Sequence, residues 1–291
     1  MNYYYKDDSV TLYHGDCREI IPQLDMQFNA LITDPPYCML NTSWDKQDIF
    51  TQIIPAAAGV MASASIVVFF GRGDSAYRHN LTWSDAGWAM AEEIVWDKRL
   101  VGSPLNAVPR SHEMVYLRCR RRPLNKIRIP LDNYEVVEVG KIITVLRFIR
   151  EGITGGNFPA VKRYCEQGID DIRRASGGGY GLSINVGIGA TCRNITSIKY
   201  LTLGSRPCSI LPFARPHRHK GKFHPTEKPI ALLQVLIGLA CDDDQLILDP
   251  FAGSGSTGVA AKQLGRRCVL IEQDEKYCEI AAGRLSEEGA K

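Results

Sequence analysis

A chain of 291 residues, 45% hydrophobic and 23% charged, is long enough for one large core, or a core and a lobe, with a composition ordinary for a soluble globular protein. A net charge of only +3 excludes a global polyanion-binding signature, so local clusters matter more. The nine cysteines are odd in number and scattered, with no C-x-x-C pair. That argues against a disulfide framework or a structural metal site and for a reducing, cytoplasmic setting.

The opening Met1-Asn2-Tyr3-Tyr4-Tyr5-Lys6-Asp7-Asp8 does not read as a signal peptide. Val10–Tyr13 is a short strand, and Gly15-Asp16 turns out of it. Cys17–Leu24 reads as a helix with Asp16 at its amino end, the usual place for a capping carboxylate. Phe28–Thr33 is a buried strand, ended by Asp34-Pro35-Pro36-Tyr37. Two prolines close a strand because proline lacks the N–H of a sheet ladder. A helix is expected from Asp45 to about Ala62, a strand over Ser65–Phe70 closed by Gly71-Arg72-Gly73, and a helix over 74–86. Residues 53–70 carry no charge, but Pro55, Gly59, Ser63 and Ser65 divide them into helix and strand rather than a membrane span. Ala91–Trp96 and Glu113–Arg118 read as strands that pair as an antiparallel edge.

The character then changes. Arg118, Arg120, Arg121, Arg122, Lys126 and Arg128 place six positive charges in eleven residues, with no acid among them. The strand–helix rhythm disappears until about 222, and glycines cluster at Gly155-Gly156 and Gly177-Gly178-Gly179. A second basic cluster holds Arg215, His217, Arg218, His219, Lys220 and Lys222. Each cluster alone would be a solvated surface. Two of them flanking an irregular insert suggest a lobe that contacts phosphates. Regularity returns with a helix over Ile230–Cys241, with Pro229 suited to its first position. A strand over Gln245–Leu248 leads into Asp249-Pro250-Phe251-Ala252-Gly253-Ser254-Gly255-Ser256-Thr257-Gly258. A helix to about Leu264, a strand over Cys268–Ile271 ending in Glu272, and a helix from about Glu275 complete the chain.

Two stretches carry chemistry. Asp34-Pro35-Pro36-Tyr37 offers a carboxylate, a carbonyl and an aromatic face at the carboxyl end of a strand, where open parallel sheets bind ligands. An exocyclic amino group on a base is a poor nucleophile, because its lone pair is delocalised into the ring. Two acceptors on its hydrogens favour the pyramidal form, and an aromatic ring can hold a base extruded from a duplex. An ordinary Pro-rich turn fits the same four residues. The second stretch is strand, glycine loop, helix, strand and terminal acid, the nucleotide-binding half of a Rossmann-like α/β fold. Gly253 and Gly255 would let backbone approach a ligand, and Glu272 lies 23 residues after Asp249, close to the spacing at which an acid grips ribose hydroxyls.

On Asp34-Pro35-Pro36-Tyr37, Asp249-Pro250-Phe251-Ala252-Gly253-Ser254-Gly255 and His224-Pro225-Thr226-Glu227-Lys228-Pro229, the chain resembles the beta class of DNA amino-methyltransferases. Members use S-adenosylmethionine, and some belong to restriction-modification systems. The resemblance covers roughly 8–120 and 222–287. It implies a Rossmann-like methyltransferase fold with a mostly parallel sheet and circularly permuted motif order. The implied parts are a catalytic part over 1–122, an inserted target-recognition region over 123–222 and a cofactor-binding part over 223–291. It further implies that Asp34 and the Pro35 carbonyl, in the stiff turn completed by Pro36, hold the target amino group while Tyr37 stacks on the flipped base. Asp16, Cys17, Asp34, Thr226, Lys228, Asp249, Phe251, Gly253, Ser254, Gly255, Thr257 and Glu272 would surround the cofactor. Of these, Asp16 would accept from its adenine amino group and Glu272 would bind its ribose. Duplex DNA is the implied partner, held by the two basic clusters, and a homodimer is compatible. Aspartate as first motif residue favours adenine N6 over cytosine N4. A catalytically silent relative that only binds nucleic acid is the other class. Direct transfer needs no enzyme nucleophile, so Cys38 is expected to pack and His224 to serve local structure.

Overall fold

The computed structural model describes residues 2–37, 48–99, 111–129, 207–215 and 227–288. The chain divides into two compact units, Met1–Ile127 with Pro207–Lys291, and Arg128–Arg206. All but the first two residues of the second unit lie outside the described residues. So do both glycine clusters, Arg218, Lys220, Lys222, His224, Thr226 and Cys38.

Among the described residues, the first unit is built on a nine-stranded sheet. Its strands are β1 (Tyr5–Lys6), β2 (Val10–His14), β3 (Phe28–Thr33), β4 (Met61–Gly71), β5 (Ala89–Asp97), β6 (His112–Arg120), β7 (Ile210–Pro212), β8 (Leu246–Asp249) and β9 (Arg267–Glu272). They lie in the order β1-β2-β9-β8-β3-β4-β6-β5-β7. The run β2-β9-β8-β3-β4 is parallel throughout. Helices are α1 (Cys17–Ile20), α2 (Ile49–Val60), α3 (Gly73–Asp85), α4 (Ile230–Ala240), α5 (Ser256–Gln263) and α6 (Glu275–Glu288).

The parallel strands are apolar on both faces because helices cover both. Leu31, Val67, Leu248 and Val269 bury into one cluster with Phe50, Ile53, Ile54 and Trp83 from α2 and α3. The uncharged segment 53–70 is thus most of α2 and the body of β4. Among the described residues, no helix is long and apolar enough to cross a membrane.

Most expected elements are present, with three informative differences. The helix expected over 17–24 breaks into α1 and a 3₁₀ turn at Ile21–Gln23, where Pro22 removes a backbone donor. Asp16 does cap α1, accepting from Arg18 N at 2.8 Å. Strands β5 and β6 pair antiparallel as expected but do not form the edge. β6 lies between β4 and β5, and β7, which no sequence pattern announced, pairs with β5 in parallel.

Candidate functional site

Four neighbouring parallel strands end on one side of the sheet, and each ends in an acid or just before one. β3 delivers Asp34, β8 ends in Asp249, β9 ends in Glu272, and β2 leads through Gly15 to Asp16. The ends are stitched together. Gly15 N donates to Glu272 O at 2.8 Å, and Thr33 Oγ1 donates to Asp249 Oδ1 at 2.6 Å. A cavity of about 720 Å³ opens above them. That is in the range of sites for small organic ligands.

Every described residue expected to touch the target base or the cofactor lines this cavity, except Gly255. Gly255 has φ +78°, and a Cβ there would stand 2.8 Å from Ala281 Cβ. Its place is explained by a tight turn against α6, not by contact with the cavity. Gly253 also sits at positive φ, and its N–H donates to Glu272 Oε2 at 2.7 Å. The acid expected to hold a ribose therefore also braces the glycine loop. Its other oxygen accepts from Asp274 N at 2.8 Å, and burial raises its pKa. A carboxylate has about four acceptor positions, so capacity remains for hydroxyls.

Burial is also the main force on Asp249, pushing its carboxyl up to about 6 against donors from Thr257, Thr33 and the Phe251 N–H. Burial raises the Cys17 thiol to about 12, which removes it as a nucleophile.

Around Asp34 the charges are denser. Its Oδ1 accepts from the Tyr37 hydroxyl and its Oδ2 from Lys228 Nζ. The ring expected to stack on a base thus also points its hydroxyl at the carboxylate. Burial raises the Asp34 pKa; Lys228 draws it down, and Glu113 pushes it up again. Lys228 lies 3.5 Å from Glu113 Oε2 and 4.7 Å from the centre of the Phe70 ring. Glu113 Oε1 pairs with Lys98 at 2.5 Å. Arg284 of α6 does not line the cavity but ties together residues that do: it donates to Ser254 O at 2.8 Å, Ser254 Oγ at 3.0 Å and Ser256 Oγ at 3.1 Å, and pairs with Glu227 at 2.8 Å.

Sequence reasoning missed Glu113, Lys98, Thr33 and Arg284. Glu113 had one signal: an acid set directly before the apolar run Met114–Leu117 of a strand.

The first basic cluster divides. Arg118 is buried, its guanidinium donating to Trp88 O at 2.9 and 2.6 Å and to Asn80 Oδ1 at 2.9 Å, so it offers nothing to a phosphate. Arg122 is held by Gln245, Asn125 and Asp242. Arg120 lies 4.7 Å over the Trp88 ring. Arg121 and Lys126 are exposed, and Arg128 and Arg215 half-buried. Among the described residues no group of His, Cys, Asp and Glu could hold a metal ion.

Comparison with known proteins fits this architecture. A family model described as DNA methylase matches residues 28–283. The type II methyltransferase M.ScaI of Streptomyces caespitosus is 24% identical over 305 residues, covering 98% of this chain and 84% of the relative. The type II methyltransferase M2.DpnII of Streptococcus pneumoniae is 49% identical over 65 residues, 22% of this chain and 24% of that one. Among solved structures, an M1.HpyAVI–SAM complex superposes with a TM-score of 0.56 at 20% identity, over 95% of this chain and 99% of the other. PvuII DNA methyltransferase, described as cytosine-N4-specific, gives 0.58 at 15%, over 97% and 90%.

Proposed function

Because this chain belongs to the DNA methylase family, whose model spans 28–283, we propose that it methylates the N6 amino group of adenine in duplex DNA, using S-adenosylmethionine. The observation that carries this reading is Asp34. A carboxylate stands at the end of β3, one strand away from the glycine loop after β8, and both face one cavity.

The cavity suits the cofactor. Glu272 and Asp16 provide acceptors for ribose and adenine at the ends of β9 and β2. Gly253, Ser254 and Thr257 line the wall beside them, at and before the amino end of α5. When bound, S-adenosylmethionine supplies an activated methyl group and a neutral leaving sulfur. The protein's share is positioning. Asp34 and the Pro35 carbonyl accept from the two amino hydrogens of the extruded base, which frees the nitrogen lone pair. Tyr37 packs its ring on the base. Burial of the thiols at Cys17, Cys268 and Cys278 agrees with transfer that needs no covalent intermediate.

Adenine is preferred over cytosine on the chemistry of the motif's first residue, a carboxylate acceptor rather than a hydroxyl. The fold does not discriminate, since a cytosine-N4-specific structure superposes as well as the M1.HpyAVI complex. The test is transfer of labelled methyl from S-adenosylmethionine to unmethylated duplex DNA, followed by digestion to nucleosides. Label in N6-methyladenine is expected. Label in N4-methylcytosine would keep the machinery and overturn the base. Cofactor binding without label on several DNAs would overturn the substrate.

A further inference from the structure

Lys228 stands between two carboxylates. It contacts Asp34 Oδ2 directly and lies 3.5 Å from Glu113 Oε2. Its side chain is only 7% exposed, so its ammonium has little water to replace a lost counter-ion. Asp34, in the proposed reaction, must turn its oxygens to an amino group. If Asp34 were the sole counter-ion of Lys228, that turn would strand a buried positive charge.

Glu113 is built to prevent this. It is the second residue of β6, the strand that pairs with β5 on one side and with β4 on the other. Lys98 holds its Oε1 at 2.5 Å, which fixes the carboxylate and aims the second oxygen at Lys228. That second oxygen is buried and, among the described residues, accepts no hydrogen bond. A buried carboxylate oxygen without a donor is costly in a fold and calls for a role. The positive charges facing Glu113 are Lys228, Lys98 and Arg215, and the negative charge of Asp34 lies beyond Lys228. Together the positive charges outweigh burial and keep it ionised.

We propose that Glu113 is a positioning residue that receives the Lys228 ammonium when the target amino group takes Oδ2 of Asp34. The lysine exchanges one carboxylate for another across a short gap, with no net charge moved out of the site. Phe70, 4.7 Å from the ammonium, gives it an aromatic face beside this path. The exchange also changes Asp34 itself. Lys228 is what pulls its carboxyl down against burial, so a departing Lys228 leaves a more basic oxygen next to the reacting nitrogen.

This rests on the methyl-transfer reading above, and the test separates the two. Glu113→Gln keeps shape and an acceptor for Lys98, but turns an amide N–H₂ toward Lys228 and leaves the ammonium on Asp34. We expect kcat for DNA methylation to fall about 100-fold, the scale of a misplaced reacting group, with cofactor Kd within about threefold of wild type. Adding Lys98→Gln must not restore kcat. Recovery in the double variant would mean that Glu113 only neutralises Lys98, and would overturn the proposal. Wild-type kcat in Glu113→Gln alone would also overturn it. If that variant does not fold by thermal melting, Glu113→Asp gives the same readout: charge kept, oxygen drawn back, kcat reduced with unchanged cofactor Kd. A wild-type protein that binds cofactor but methylates no DNA would overturn the parent reading, and this one with it.

Discussion

The loop after β3 meets the cavity with side chains, whereas the loop after β8 meets it largely with backbone and small hydroxyls. Asp34 and Tyr37 bring a carboxylate and a phenol, and Asp34 is held by Lys228, which faces Glu113, itself paired with Lys98. Gly253 brings backbone at positive φ, braced by Glu272, and Gly255, away from the cavity, turns the loop by close packing on Ala281. Two strands that are neighbours in one sheet thus solve different problems. One must hold charge in a place that can change partners. The other must hold a shape that does not change.

The sharpest way to break this contrast is Asp34→Ala. It should reduce methyl transfer on the order of 10³-fold while leaving cofactor affinity within a few-fold, as loss of a preorganised polar contact to reacting atoms does. Single-turnover rates alongside calorimetric binding check both halves. An equal loss in binding would show that the two loops share one task.

Asp249 joins the loops through Thr33 and should report their coupling as a pH effect. Its carboxyl titrates near 6 in the folded chain, above the usual value of 3.8. The folded state therefore holds this proton more tightly than the unfolded state. The resulting stability is complete below about pH 4 and is lost as the pH rises through about 6. Asp249→Asn removes the term. From pH 4 to pH 7 the variant should gain about 3 kcal/mol relative to wild type in urea unfolding, the equivalent of roughly two pK units. A flat difference would mean that the buried carboxylate is ionised in both states.

The smallest expected effect tests shape. Gly255→Ala must adopt φ +78° and place a methyl 2.8 Å from Ala281 Cβ. We expect a loss of about 2–3 kcal/mol from backbone strain and overpacking, seen as a melting point about 5–10 °C lower, with weaker cofactor binding. A normal melting point would show that α6 yields easily.

The same contrast explains what the sequence disclosed. The strand before Asp34, the glycine loop and Glu272 were legible because each is local: an apolar run, a breaker, then an acid at a known spacing. The pairing of Asp34 with Lys228, and Glu113 beyond it, were not. Lys228 lies 194 residues away, and Glu113 acts only because β6 pairs beside β4. Arg118 misled for the opposite reason. It belongs to a basic run in sequence, but its guanidinium is taken up by the Trp88 carbonyl and Asn80, while Arg121 and Lys126 of the same run stay exposed. Charge counts cannot see a partner supplied by another element. The short β7 carries too few residues for a period to show.

The strand order has a consequence for the growing chain. β8 and β9 are the last strands in the sequence, yet they lie between β2 and β3, which are among the first. During synthesis the early strands cannot close on each other without occupying a slot meant for strands more than two hundred residues downstream. Until those emerge, β2 and β3 each keep an unpaired apolar edge. Such non-local pairing folds slowly and leaves intermediates open to aggregation. A product cut short before β8 would carry the whole Asp34 loop and still leave the middle of its sheet open.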